Sequence, residues 1–337
     1  MTNHETIGVT GLGFAAPETV RRNDDPIFDW IRKNNPDYAK LFQGIDERRV
    51  LAAGETLDAL MLAAAAQALD DAGLASRDID LLIGLASVSD YVTPNALVKL
   101  HSDLGLPAHC QVLPVGTEFT TFNDSLVLAD AMIRTGSGIG NVLIACGCNW
   151  TRHVSYHEAT SIGAADGAGA AIMGSLVDPR RFAFVDVVTE TQSKYYGAMW
   201  MGGRESGRID PPPPYSAGLY TTPLMYFGAE AAKSFAEFGE TAPVRAVNRL
   251  LSRNGVKPGE ITLISHQTSS VLIDAWNKAI GPGQYITTLK DYGNMTVASV
   301  PFTLAMRRRE IAHDHLVLLT LGMQQQTSAV LLRRRAG

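Results

Sequence analysis

LDDAGLASRDIDLLIGLASVS (residues 69–89) and LLSRNGVKPGEITLISHQTSS (residues 250–270) read alike: a helix end, a glycine, a short polar turn and an apolar strand. Gly73 pairs with Gly255 and Ile79 with Ile261 at one offset of 182 residues (255 − 73), which sets Gly84 against His266. A second pair, DSLVLADAMIRTGSGIGNVLIACG (124–147) and ASVPFTLAMRRREIAHDHLVLLTLG (298–322), runs through a helix and a turn into an apolar strand. Here Ala131 and Met132 match Ala305 and Met306 at an offset of 174 (305 − 131), and Thr120 stands against Asn294. A chain that repeats such units builds the same structure twice. Equivalent helix starts are therefore expected around residues 119 and 294.

Apolar runs of strand length (LLIGLA, VLIACG, AAIMG, FAFVDVV, TLISH, LVLLTLG, AVLLR) alternate with helical stretches such as LDALMLAAAAQALDDAG (57–73). This alternation predicts α/β layers with helices covering a buried sheet. Each half is expected to be one such unit, residues 1–176 and 177–337, divided in the polar turn SLVDPRR (175–181). The Gly-, Pro- and Tyr-rich stretch from about 190 to 222, with Pro211 to Pro214, reads as a long irregular excursion of the sort that is usually functional or mobile.

At 46% hydrophobic and 19% charged residues, the 337-residue chain has a globular composition and length enough for two core-forming units. A net charge of −5 sets up no field for a polyanion, and the arginine runs at 307–309 and 333–335 are short, which argues against nucleic-acid binding. No basic start followed by an apolar core opens the chain and no apolar run reaches membrane length, so the expected location is the cytoplasm. Cys110, Cys146 and Cys148 form no CxxC pair, and the last two read as packing at a strand end. GLGFAAP (11–17) spells part of a dinucleotide fingerprint, but Pro17 and the polar residues after it deny the helix that would meet a pyrophosphate. No P-loop, HExxH or zinc spacing is present, so no metal or permanently bound cofactor is expected.

Four segments together point to a family. GIDERRV (44–50) follows Trp30 and Ile31, ADGAGAAIM (165–173) precedes the division between halves, and HQTSS (266–270) and YGNMTVASVP (292–301) complete the set. In order and content they resemble the GIRERR-like, GDGAGAAVL, HQAN and GNTSAASVP patterns of the type III β-ketoacyl-acyl-carrier-protein synthases of the thiolase superfamily. The resemblance covers nearly the whole chain. It implies a thiolase-like fold, two pseudo-duplicated halves in α-β-α-β-α layers, and a dimer. It also implies coenzyme A or phosphopantetheine thioesters as substrates, with acyl-CoA or acyl carrier protein as partner. His266 and Asn294 match the pair that stabilises the enolate or oxyanion of a thioester, and Trp30 and Ser269 fall where the family contacts coenzyme A.

The pattern breaks at the nucleophile. Aligned without a gap on ADAMIRTG, the position of the family's cysteine is Phe119 in VGTEFTTFNDS (115–125), and phenylalanine forms no thioester. Glu118 beside it is a candidate base, or a carboxylate favoured at a helix N-terminus. GMQQQTS (322–328) replaces a glycine-rich turn, and HQTS replaces HQAN. Two readings follow: an acyl-thioester enzyme that decarboxylates, condenses or transfers without an acyl-cysteine, in polyketide or other specialised metabolism, or a non-catalytic subunit paired with a cysteine-bearing homologue.

Overall fold

A computed structural model describes residues 6–91, 93–136, 138–202 and 224–334. Up to residue 175 the strands are β1 (Ile7–Ala15), β2 (Val20–Arg22), β3 (Glu47–Arg49), β4 (Leu81–Ser87), β5 (Gln111–Pro114), β6 (Val142–Asn149) and β7 (Asp166–Ser175). The helices of this stretch are α1 (Asp29–Asn34), α2 (Tyr38–Leu41), α3 (Leu57–Ala72), α4 (Leu97–Asp103) and α5 (Thr121–Arg134). Beyond it come β8 (Phe182–Thr191), β9 (Met199–Gly202), β10 (Leu224–Phe227), β11 (Ile261–Ser265), β12 (Gln284–Ile286), β13 (His315–Gly322) and β14 (Gln326–Arg334). Their helices are α6 (Ala231–Ser234), α7 (Ala242–Asn254), α8 (Ser270–Ile280), α9 (Leu289–Tyr292) and α10 (Ser299–Arg307).

Ten strands form one sheet in the order β12-β11-β13-β14-β8-β1-β7-β6-β4-β5. Cut between β8 and β1, this is a single five-strand order written twice. In each half the three outer strands are parallel and the two inner ones antiparallel. The halves join through two residue pairs, Gly8 with Ala183 and Val9 with Phe182.

Three cores give the layers. Helices α3 and α4 cover the outer face of the first half-sheet through Met61, Ala65 and Leu100. Helices α7 and α8 cover that of the second through Leu250 and Trp276. The inner faces of both halves share one core with α5 and α10, in which Phe122 and Phe302 pack with Ile144 and Leu318. The architecture is thus the layered α-β-α-β-α thiolase-like fold, its two central helices enclosed between half-sheets.

The sequence repeat survives in backbone detail. Helix α3 ends on Gly73 (φ 68°) and α7 on Gly255 (φ 65°), each in the left-handed conformation that glycine adopts without a Cβ penalty. The helix starts correct the expectation. Helix α5 begins at Thr121 and α10 at Ser299, an offset of 178 (299 − 121), each preceded by a 3-10 turn that opens on a positive φ, Glu118 at 50° and Thr296 at 43°. The offset of 174 holds only at the helix ends. Helix α10 has nine residues against fourteen in α5, and a difference of four between offsets is about one helical turn, removed without rotating the buried face. Asn294 accordingly lies ahead of its helix rather than at the start.

Residues 11–15 of GLGFAAP lie inside β1, so the glycines serve packing. A Cβ on Gly13 would stand 2.0 Å from Ala64 O of α3 and one on Gly11 2.3 Å from Ala68 O, so the helix lies directly on the strand. The supposed excursion is ordered at first, through β8, a turn at Ser193–Tyr195 and β9, which pairs antiparallel with β10. Its remainder, with Pro211 to Pro214, lies outside the described residues. Among the described residues no helix is long and apolar enough to cross a membrane.

Two glycine substitutions separate the constraints. Gly73→Ala meets open space but keeps a positive φ, and is expected to cost about 1 kcal/mol. Gly13→Ala drives a methyl into the α3 backbone and is expected to cost at least about 3 kcal/mol, measured by urea unfolding. Equal losses would contradict the packing of α3 on β1.

Candidate active site

A cavity of about 390 Å³ opens where β6, β11 and β13 end and α5 begins. Ile45, Trp150, Ile162, Met225, Phe227 and Leu321 give it a largely apolar wall. The ends of parallel strands are where α/β sheets place their ligands, because the chain leaves the sheet there in loops free to carry side chains.

Two of the family-like motifs build this wall. Arg48 of GIDERRV is fully buried, its Nε donating to Ile162 O (3.0 Å) and an Nη to Asn23 Oδ1 (2.8 Å). Burial, helped by the nearby Arg21, pulls the guanidinium down to about 10. Asp166 of ADGAGAAIM accepts from Leu51 N (2.8 Å) and Thr151 N (2.9 Å) and so fixes the segment after Trp150. Burial raises its carboxyl, and these hydrogen bonds oppose the rise.

His266 is the first residue beyond β11, its N–H donating to Leu319 O of β13 (2.7 Å). Gln267 anchors the bend that follows. Its Oε1 accepts from Thr288 N (2.8 Å) and Leu289 N (2.9 Å), and its Nε2 donates to Ser265 O (2.7 Å). The His266 ring lines the cavity at 3% exposure, and burial pushes the imidazole down to about 3. A neutral imidazole has one N–H, and Nδ1 is buried with no partner among the described residues. An orphaned N–H costs more than an orphaned lone pair, which assigns the proton to Nε2.

Asn294 is held by its backbone, N–H to Gly163 O (2.7 Å) and C=O from Ala165 N (3.1 Å). Its Oδ1 accepts from Thr296 N (2.8 Å) and Ser299 Oγ (3.4 Å). With the oxygen so engaged, the NH₂ group is left as donor to the cavity that Asn294 lines. Thus the site offers two preset donors, neither of them charged.

Phe119 lies on the same wall, its ring stacked on that of His266 at 5.1 Å between centroids and 22° between planes. The aligned position of the nucleophile and the two donor residues therefore meet in one cavity. Ser269 also lines it, but its Oγ accepts from Leu272 N (3.4 Å) and caps α8.

Two sequence candidates stand elsewhere. Glu118 does not line the cavity; it stands in the first turn of the 3-10 segment, its carboxyl accepts from Ser87 Oγ (3.3 Å), and burial raises it. Trp30 is half exposed and stacks on His157 at 4.6 Å, outside the cavity wall. None of the three cysteines lines the cavity. All are buried, with Cys110 pushed up to about 11 and Cys146 to about 12, the reverse of nucleophilic activation.

Sequence reading missed several polar side chains of this wall, among them Thr160, Glu240 and Gln325. Thr160 Oγ1 is buried with no partner among the described residues, and Gln325 is 3% exposed at φ 55°. A hydroxyl amid apolar residues gave Thr160 no signal, whereas the glutamine run at 324–326 marked an altered turn without saying which residue faces inward.

Comparison with known proteins agrees with this geometry. The family described as 3-oxoacyl-[acyl-carrier-protein] synthase III matches residues 115–193, and its C-terminal counterpart matches residues 251–333. β-Ketoacyl-[acyl-carrier-protein] synthase III of Sodalis glossinidius is 28% identical over 318 residues, covering 92% of this chain and 94% of its own length. The protein of that name from Trichormus variabilis is 28% identical over 308 residues, covering 90% of each chain. Among solved structures, 3-oxoacyl-[acyl-carrier-protein] synthase III from Aquifex aeolicus superposes with a TM-score of 0.81 at 21% identity, over 97% of this chain and 99% of its own. The priming β-ketosynthase of a polyketide biosynthetic pathway gives 0.84 at 20% identity, over 98% of this chain and 97% of its own. With family models matched in order in both halves and the duplicated fold shared along its length, the chain is similar throughout to the type III β-ketoacyl-acyl-carrier-protein synthases.

Proposed function

We propose that this protein acts on acyl thioesters of coenzyme A or acyl carrier protein without forming an acyl-enzyme, His266 and Asn294 holding the thioester oxygen as it gains charge. The observation that carries the reading is the pair of fixed, neutral donors on one apolar cavity that also holds Phe119, the aligned position of the thiol. Such donors stabilise charge that develops in the transition state and need no reorganisation to do so. In acyl transfer the acceptor's lone pair adds to the thioester carbon, the carbonyl electrons move onto oxygen, and collapse expels the thiolate. The proton lost by the acceptor ends on the departing sulfur. In decarboxylation of a malonyl thioester the broken C–C bond delivers its electrons to the same oxygen as an enolate. Direct condensation is attack by that enolate on a second thioester.

A second reading is favoured by the ring of Phe119 lying flat on His266, which covers one face of the imidazole. It makes the chain a non-catalytic subunit paired with a cysteine-bearing homologue; the dimer, of either composition, would extend the sheet at the open edge of β5. Incubating the purified chain with malonyl and acyl thioesters, alone and with such a homologue, separates the two by whether products form without the partner.

His266→Ala and Asn294→Ala should each lower thioester turnover by about 10² to 10³ while circular dichroism stays unchanged. Full activity in both would sink the donor assignment.

The imidazole also marks the stability curve. Its folded pKa, about 3, lies below the ordinary value near 6.5, so between these limits the unfolded chain binds a proton that the folded one refuses. Stability is therefore lost as pH falls through that window, by up to about 1.4 kcal/mol per pH unit from this group. Urea unfolding at pH 7, 6 and 5 should show His266→Gln losing less than the parent. Parallel losses would place a charged histidine in the fold.

Intact mass after exposure to acyl thioesters should show no adduct on the parent protein. Phe119→Cys restores a thiol ahead of α5, whose N-terminal amides favour the thiolate, and should acylate slowly with short chains. A stable adduct on the parent refutes the mechanism, and an inert Phe119→Cys refutes the alignment.

A further inference from the structure

The hairpin between β13 and β14 turns in three residues, Met323, Gln324 and Gln325, between the paired Gly322 and Gln326. Gln325 N–H donates to Gly322 O (3.1 Å), and its φ of 55° closes the loop in the left-handed conformation that such turns reserve for glycine. A side chain there is strained, and persists where its surroundings hold it. They do so here. Gln325 O accepts from Gln192 N (2.8 Å), Gln324 Nε2 donates to Gly116 O (3.0 Å), and a Cβ on Gly322 would meet Thr120 Cγ2 at 3.2 Å, so the turn is clamped over the approach to α5. Gln325 is 3% exposed and lines the cavity with Phe119 and Leu321, and its carboxamide has no partner among the described residues.

We infer that Gln325 is a specificity residue: its carboxamide hydrogen-bonds an oxygen on the β-carbon of the bound acyl group, so that the cavity selects neutral 3-oxo- or 3-hydroxyacyl thioesters over plain alkyl ones. The inference rests on the thioester reading of the cavity. His266 and Asn294 serve the thioester oxygen, and Gln325, which shares a wall with the Phe119 ring stacked on His266, is a third polar point close by. An alkyl chain would bury this carboxamide against methylenes and leave it unsatisfied, whereas an oxygen substituent restores its bond. The described lining residues include no lysine or arginine, so a neutral oxygen fits better than a carboxylate.

Calorimetric titration with 3-oxobutyryl-CoA and butyryl-CoA, which differ only in that oxygen, tests it. The parent should favour the 3-oxo chain by about tenfold or more. Gln325→Gly, relieved of the turn strain, should melt no lower than the parent, yet bring the ratio of the two affinities near one. Gln325→Asn, which tolerates the turn but is one methylene shorter, should do the same. A parent that binds both thioesters equally, or a Gln325→Gly variant that keeps the preference, overturns the role of Gln325 and leaves the thioester reading standing. A parent that binds neither overturns both.

Discussion

Enclosure of α5 and α10 between the two half-sheets is the constraint on which the rest depends. Ser299 through Ala305 of α10 are all buried, as are Thr121, Phe122, Asn123, Ser125 and Leu126 of α5. The first turns of α5 and most of α10 have no solvent face on which to leave a polar group, which favours internal partners for the polar groups there. Asn123 shows how this is met: its Nδ2 reaches Leu318 O (2.9 Å) and Ser328 O (3.0 Å), tying α5 to β13 and β14 of the opposite half. Burial of their first turns fixes where α5 and α10 start, and the chain just ahead of those starts bears Phe119 and Asn294.

The cavity is a consequence of that fixed geometry more than of any local motif. Strands β6, β11 and β13 end around the two helix approaches, and their loops bring Trp150, His266 and Leu321 to one place. Behind them, Arg48, Asp166 and Gln267 satisfy backbone groups that the bends would otherwise strand in a dry interior. At residue 119 the scaffold accommodates a phenylalanine ring, which lines the cavity and stacks on His266. Backbone contacts fix where His266 and Asn294 stand, a carboxamide contact orients Asn294, and the His266 ring packs on Phe119.

The altered β13–β14 turn follows the same logic. A strained φ at Gln325 is tolerated because the strands on either side, the chain at Gln192 and the turn before α5 determine the loop from several directions. Burial also decides the charge state of the site. Burial favours the neutral form of His266, and no cation stands among the cavity's described lining residues, so the donors proposed for it are uncharged dipoles.

The sequence by itself determined the duplication, the α/β alternation and the family's segments, because helix periodicity, glycine caps such as Gly73 and Gly255, and apolar strand runs are local properties that each half writes for itself. It also singled out Phe119, His266 and Asn294, the first by alignment along one helix and the others by motif. Only the tertiary structure decided where these side chains meet, since they are brought together across both halves. It moved Asn294 ahead of its helix, because α10 is shorter by about one turn than α5 and a repeat aligned at helix ends misplaces helix starts. It turned Glu118 toward Ser87, set Trp30 outside the cavity on His157, and brought Gln325 in. Direction of a side chain from a turn depends on φ at single residues, and φ there is set by packing from elements distant in sequence.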